Sequence, residues 1–252
     1  MFVQQNIKGR LYLVTGASSG VGRAVCKALA HSGAHVVLSG RSMERLEETL
    51  TYMTGSGHHI KPHDLTLTDD IEAWARDITI SYGALDGIAY CAGVGARWPL
   101  RDTPTSMLHH TMLVNFYAFV ECVRWFTRLK ERKKPMRIVA MSSLASETNV
   151  KSYTPYAASK AALEAAVRVM GTELLPHNVG ICTVKAGFID TPMLDVAKEM
   201  KGDLDVHFKK TGYQPMGLIA PTSVAEMIVF LLSDAAHYIT GVQVPLNGGA
   251  LC

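Results

Sequence analysis

Tyr156-Ala157-Ala158-Ser159-Lys160 sets a phenol and an ammonium four residues apart, one turn apart on a single face if the segment is helical. A free tyrosine titrates at about pH 10, too high to exchange a proton readily at neutral pH. A fixed ammonium nearby favours the phenolate and lowers that pKa, each unit corresponding to about 1.4 kcal/mol. Such a pair suits proton exchange with a reacting oxygen. The spacing alone is common by chance, so its weight depends on what accompanies it.

A second group of residues suits phosphate. Thr15-Gly16-Ala17-Ser18-Ser19-Gly20-Val21-Gly22 follows an apolar run and leads into a helical pattern. Glycines in a strand-to-helix turn let the backbone approach a pyrophosphate closely, and the N–H groups and dipole at the helix start bind its charge. The next apolar run ends Leu38-Ser39-Gly40-Arg41-Ser42. A carboxylate there would hold an adenosine ribose and repel a 2′-phosphate; instead Arg41 offers a planar fork suited to phosphate. NADP(H) is therefore the expected cofactor, with NAD(H) the alternative. Asp64, at the end of the third strand, is placed either to accept from an adenine amino group or to cap the following helix.

The elements that must carry these residues alternate along the chain. Arg10–Thr15, His35–Ser39, Gly87–Cys91, Arg137–Ser142, Gly180–Val184 and Gln243–Leu246 read as strands buried on both faces. Val21–Ser32, Met43–Met53, Asp69–Tyr82, Met107–Lys130, Tyr156–Leu174 and Thr222–Ser233 read as helices. This alternation predicts right-handed crossovers and a doubly wound parallel α/β sheet flanked by helices on both faces. No linker or repeat divides the chain, so residues 1–252 are expected to form one domain. Two stretches break the rhythm. The basic stretch Lys130–Arg137, with Arg132 and Lys133, reads as a solvated helix-to-strand turn. Asp190–Met216, with Met193, Met200, Phe208 and Met216, reads as a substrate lid.

Composition removes other classes of function. With 252 residues, 48% apolar and 19% charged, the chain can bury a large core and is not expected to be disordered. A formal charge of +3 supplies no concentrated basic field, so nucleic acid is not an expected partner. Five scattered cysteines (Cys26, Cys91, Cys122, Cys182, Cys252) read as small buried hydrophobes of a reducing compartment. The N-terminus lacks the pattern of a signal peptide and no apolar run approaches a membrane span, so a cytoplasmic protein is expected. His58, His59 and His63 are expected to be solvated loop histidines, and no metal is expected.

Thr15–Gly22, Asp64, Cys91-Ala92-Gly93, Asn115, Ser143 and Tyr156-x3-Lys160 together resemble the short-chain dehydrogenase/reductases, in their short branch of about 250 residues. Gly187-Phe188-Ile189-Asp190-Thr191-Pro192 and Asn247-Gly248-Gly249 fit the same order and spacing. The resemblance implies a Rossmann-like fold and hydride transfer between a nicotinamide and a carbonyl or secondary alcohol. It makes Tyr156 the general acid or base, and Ser143 a hydrogen-bond partner of Tyr156 and the substrate oxygen. Lys160 would bind the nicotinamide ribose, and Asn115 would hold a water that links Lys160 to solvent. Gly16, Ser18, Ser19, Gly20, Val21, Gly22, Arg41, Asp64, Ala92, Gly93, Gly187, Ile189 and Thr191 would contact the cofactor beside Tyr156 and Lys160.

The chain departs from the family pattern at two places. Tyr90-Cys91 replaces the usual Asn-Asn, and Ala186 replaces a proline before Gly187. The first predicts a less rigid sheet edge and the second a looser turn, with the proton-transfer residues unaffected. The line-up also resembles the 3-oxoacyl-carrier-protein reductases, but His177 stands where those place an arginine for the acidic carrier. A non-catalytic scaffold on the same fold would predict damage to Ser143, Tyr156 or Lys160, and all three are intact. The resemblance also implies a homodimer or homotetramer. Phe116, Phe119, Val123 and Phe126 fit either that interface or the sheet.

Overall fold

The computed structural model describes residues 7–95, 97–128, 134–194 and 204–250. Lys130, Arg132, Lys133, Met200, Cys252 and the first six residues lie outside them, with whatever the sequence suggested for each.

Seven parallel strands form one sheet: β1 (Leu11–Thr15), β2 (His35–Ser39), β3 (His59–Ile60), β4 (Gly87–Tyr90), β5 (Met136–Ser143), β6 (Val179–Ala186) and β7 (Gln243–Leu246). Their order is β3-β2-β1-β4-β5-β6-β7. The direction of winding reverses between β1 and β4, where an open α/β sheet leaves a crevice at the carboxyl ends of its strands. The central strands are apolar on both faces because helices cover both.

The described helices are α1 (Gly20–His31), α2 (Met43–Thr51), α3 (Ile71–Tyr82), α4 (Thr105–Met112), α5 (Ala118–Arg128), α6 (Thr154–Glu173), α7 (Leu204–Thr211) and α8 (Pro221–Leu232). On one face Val25, Cys26 and Leu29 of α1 pack with Val224, Ile228 and Leu232 of α8 against Val14, Val36, Val139 and Val184. On the other, Trp74 and Ile78 of α3, Phe119, Val123 and Phe126 of α5, and Leu163 and Val167 of α6 cover Leu13, Ile88, Ile138 and Ile181. Each fully buried large apolar side chain contributes about 1.5–3 kcal/mol. Phe119, Val123 and Phe126 therefore face the sheet, which settles the choice the sequence left open for them.

The helix expected over Met107–Lys130 is not continuous. A π-helical turn, Leu113–Tyr117, separates α4 from α5. Two side-chain bonds meet it: the Tyr90 hydroxyl donates to the Val114 carbonyl at 2.8 Å, and Asn115 is drawn to the Val94 backbone. Tyr90 thus braces this turn by a bond absent from the expectation of a looser edge. The histidines are also used differently than expected. His59 stacks on Tyr82 at 4.2 Å, His63 stacks on Trp74 at 4.7 Å, and His58 bonds the Thr54 carbonyl. Cys26, Cys91, Cys122 and Cys182 are free thiols. Among the described residues no helix is long and apolar enough to cross a membrane, and no group of three His, Cys, Asp or Glu could hold a metal.

Candidate active site

The turn after β1 brings backbone to the crevice. Gly16 has φ +66°, and a Cβ there would come within 2.9 Å of the Ala92 backbone. A Cβ at Gly22 would overlap the Gly16 carbonyl. Both positions need glycine so that α1 can start against β1 and β4. Ala92 is tied to the same place by its N–H, which donates to Thr15 Oγ1 at 3.2 Å. Thr191 packs over Gly20, its methyl 3.3 Å from where a Cβ would stand.

A cavity of about 670 Å³ opens from this turn along the strand ends. Gly16, Ser18, Ser19, Gly20, Val21, Gly22, Arg41, Asp64, Ala92, Gly93, Ser143, Tyr156, Lys160, Gly187, Ile189 and Thr191 all line it. Asn115 stands behind the wall, fully buried. Its side chain exchanges bonds with Val94 N at 2.8 Å and Val94 O at 3.1 Å, and donates to Ser159 Oγ at 2.9 Å.

Tyr156 and Lys160 lie on the first turns of α6, and the Lys160 Nζ is 5.7 Å from the Tyr156 ring centroid. Lys160 Nζ donates to the Met141 carbonyl at 2.8 Å. Burial lowers its pKa to about 8, against small opposing pulls from Cys91 and Glu164. Tyr156 departs from expectation: burial raises its phenol, and the Ser143 hydroxyl beside it pulls it back. The ammonium is spent on a backbone carbonyl and stands at ring distance, so it does not deliver the expected lowering here. The Ser143 hydroxyl also accepts from Ala145 N at 3.1 Å, capping the short turn Leu144–Ser146.

At the opposite end, Asp64 Oδ1 accepts from Thr66 N at 3.0 Å and from its hydroxyl at 2.9 Å. The Thr66 N–H, then its hydroxyl and Arg41, hold the Asp64 carboxyl below the usual range. Of the two roles open to Asp64, this turn engages one oxygen. Arg45 and His63 join Arg41 on the wall, and the buried His63 Nε2 has no partner. The sequence reading passed over Arg45, four residues past Arg41, and took His63 for a solvated loop histidine. A glycine cradle too tight for any Cβ, with guanidiniums at the far end, fits a nicotinamide dinucleotide.

The substrate end is closed by side chains distant in sequence. Gln214, fully buried, accepts from Phe188 N at 2.8 Å and donates to Phe188 O at 3.0 Å and Gly217 O at 2.6 Å. The Phe188 ring meets Phe208 of α7 at 4.5 Å, tilted by 34°, and Tyr213 at 5.8 Å. The turn after β6, expected to be loose with Ala186 in place of proline, is thereby pinned. Of the expected apolar cover, Met193 lines the cavity and Phe208 backs it, but Met216 points to solvent. Behind β5 lies a buried polar cluster that the sequence reading did not find: Ser142, Ser146, Glu164 and Lys185, with Glu147 at its rim. Burial would lower the Lys185 pKa, but Glu147 and Glu164 outweigh it and raise it.

A parallel sheet wound outward from β1 and β4, with a glycine turn at its crevice and a Tyr-x3-Lys helix facing it, defines a dinucleotide-fold oxidoreductase. Residues 16–250 match the family model described as enoyl-(acyl carrier protein) reductase, and the chain belongs to the short-chain dehydrogenase/reductase family. It is 29% identical over 248 residues to a 3-oxoacyl-[acyl-carrier-protein] reductase of Vibrio harveyi, covering 97% of this chain and 98% of that protein. It is 30% identical over 253 residues to L-xylulose reductase of Bos taurus, with 97% and 98% covered. Among solved structures it resembles a variant of actinorhodin polyketide ketoreductase with NADPH, at a TM-score of 0.87 and 25% identity, covering 98% and 97% of the two chains.

Proposed function

We propose that this chain is an NADP(H)-dependent reductase of carbonyl compounds, working reversibly on secondary alcohols. When bound, the nicotinamide supplies or takes the hydride. Tyr156 gives the proton to the carbonyl oxygen in reduction and takes it back in oxidation. Ser143, beside Tyr156 on the cavity wall, holds that oxygen, and Lys160 holds the ribose side of the site. The observation that carries this reading is the single cavity shared by the glycine turn, Arg41, Ser143, Tyr156 and Lys160. Arg41 supports NADP(H) over NAD(H), because no carboxylate stands at the end of β2 to receive a ribose hydroxyl.

The substrate end, lined by Val94, Leu144, Ala145, Val150, Phe188, Met193 and Leu194, favours an apolar carbonyl compound, with the described parts of the excursion after β6, residues 190–194 and 204–216, as its lid. That lining, with the relative from Vibrio harveyi, supports 3-oxoacyl thioesters as a second reading; His177 speaks against an acidic carrier as their bearer. The test is titration of the purified protein with NADPH and NADH by nicotinamide fluorescence, then a screen of NADPH oxidation. The screen sets free cyclic and aryl ketones against 3-oxoacyl thioesters. Tight binding of NADPH with turnover of either class supports the reading, and binding of neither nucleotide overturns it.

A further inference from the structure

Ser143 is bracketed by two serines whose hydroxyls go to one buried carboxylate. Ser142 Oγ donates to Glu164 Oε1 at 2.5 Å, and Ser146 Oγ reaches the same oxygen at 3.0 Å. Ser146 Oγ also lies 2.8 Å from the Ser143 carbonyl. Glu164 Oε2 faces Lys185 Nζ at 3.3 Å, and that ammonium also reaches Glu147. Glu164 and Lys185 are 4% and 6% exposed, so both charges are held out of water.

An ion pair buried in this way is weak evidence of stabilisation, since an apolar pair of similar volume does as well or better. Its geometry does have a use. Side chains alternate across a strand, so fixing Ser142 toward α6 fixes Ser143 toward the cavity. Ser142 and Lys185 are register partners on β5 and β6, and the next pair, Ser143 and Ala186, sits at the cavity wall. On α6, Glu164 follows Tyr156 and Lys160 at intervals of one turn, so one stripe carries the proton-transfer pair and then the brace.

We infer that Glu164, neutralised by Lys185, is a positioning residue: by holding Ser142 and Ser146 it sets the Ser143 hydroxyl against Tyr156 and the carbonyl oxygen. This rests on the proposed reductase function. The test compares three variants of the full chain. Glu164→Leu with Lys185→Met removes both charges together and leaves neither buried unpaired. Ser142→Ala with Ser146→Ala leaves the ion pair intact and cuts its bonds to the two serines, along with the Ser146 bond to the Ser143 carbonyl, so it serves if the first variant does not fold. Glu164→Gln keeps the length and the accepting oxygen.

In the first two, kcat for a ketone found in the screen falls ten- to a hundredfold, while the Kd for NADPH stays within twofold. Glu164→Gln restores kcat to within about threefold of the parent. Amide hydrogen exchange across residues 143–146 quickens in the first two and not in the third, a readout that needs no turnover. Unchanged kcat in folded variants would show that the cluster only packs. Glu164→Gln as damaged as the double variants would show that charge, and not the bonds to serine, matters. If the parent turns over no carbonyl compound, the proposed function fails. The exchange measurement still decides the brace: unchanged rates at 143–146 refute it.

Discussion

At the β1–α1 end of the cavity, backbone makes the surface: Gly16 and Gly22 bring the chain to Ala92 and to itself within a single turn. At the Phe188 end, side chains make it, with Gln214 and Phe208 reaching back across residues well separated in sequence. The first construction is local and stiff, and suits a cofactor whose phosphates do not vary. The second depends on which side chains the excursion after β6 supplies, so it can differ between relatives while the fold stays the same. A 3-oxoacyl-carrier-protein reductase and a xylulose reductase are both near 30% identical to this chain over nearly its whole length, which fits that division.

The strongest way to break the comparison is at the junction of the two ends. Tyr156→Phe removes the proton donor and leaves the glycine turn and Arg41 untouched. Turnover should fall by about 10²–10⁴, the usual contribution of a positioned acid or base, with NADPH affinity kept. Steady-state rates and fluorescence titration of the same sample check this. Retained turnover would take the proton-transfer role away from Tyr156.

Arg41→Ala tests the backbone-built end. Losing a charge-assisted bond to phosphate corresponds to about 1.5–3 kcal/mol, or roughly ten- to a hundredfold in affinity. The loss should fall on NADPH and leave NADH within about twofold of its parent value. Equal losses for both nucleotides would mean that Arg41 does not read the 2′-phosphate, and would shift attention to Arg45 on the same wall.

Gln214→Leu tests the side-chain-built end. It deletes two hydrogen bonds to Phe188 and one to the Gly217 carbonyl, and leaves the Phe188 amide unpaired. The KM for the ketone should rise several-fold while the Kd for NADPH holds. Stability should drop by about 1–3 kcal/mol, read by thermal unfolding. A change confined to NADPH binding would reverse the assignment of the two ends.

What the sequence made legible follows the same line. Tyr156-x3-Lys160 and the glycine turn are short-range patterns, and the structure places both on one cavity. The strand–helix alternation likewise located the sheet, because burial on both faces leaves an unbroken apolar run in each central strand. The contacts that were not legible join distant positions. Tyr90 and Val114 are 24 residues apart, Ser142 and Glu164 are 22 apart, and Phe188 and Gln214 are 26 apart. No spacing rule connects such pairs, since only the packed fold brings them together. The π-helical turn at Asn115 was hidden for a related reason: its residues have ordinary helical character, and the distortion is tied to Val94 and Tyr90.

Lys160 gives the finest test, because both ends converge on it and its charge is held at a cost. Its folded pKa of about 8 lies below the ordinary 10.5, so between those values the unfolded chain binds more protons than the folded one. The stability tied to this site therefore rises with pH across that window. Below pH 8 the full penalty, roughly 3 kcal/mol, is present. Lys160→Met removes the penalty along with the bond to the Met141 carbonyl. At pH 7 the variant should melt a few degrees above the parent, since 1 kcal/mol moves Tm by about 2–4 °C at this chain length. The gap should narrow toward pH 10 as the parent lysine loses its proton in the folded state, and turnover should be absent throughout. A variant that melts below the parent by the same margin at both pH values would show that the bond to Met141 outweighs burial. Lys160 would then be a structural tie for β5 as much as a partner of Tyr156.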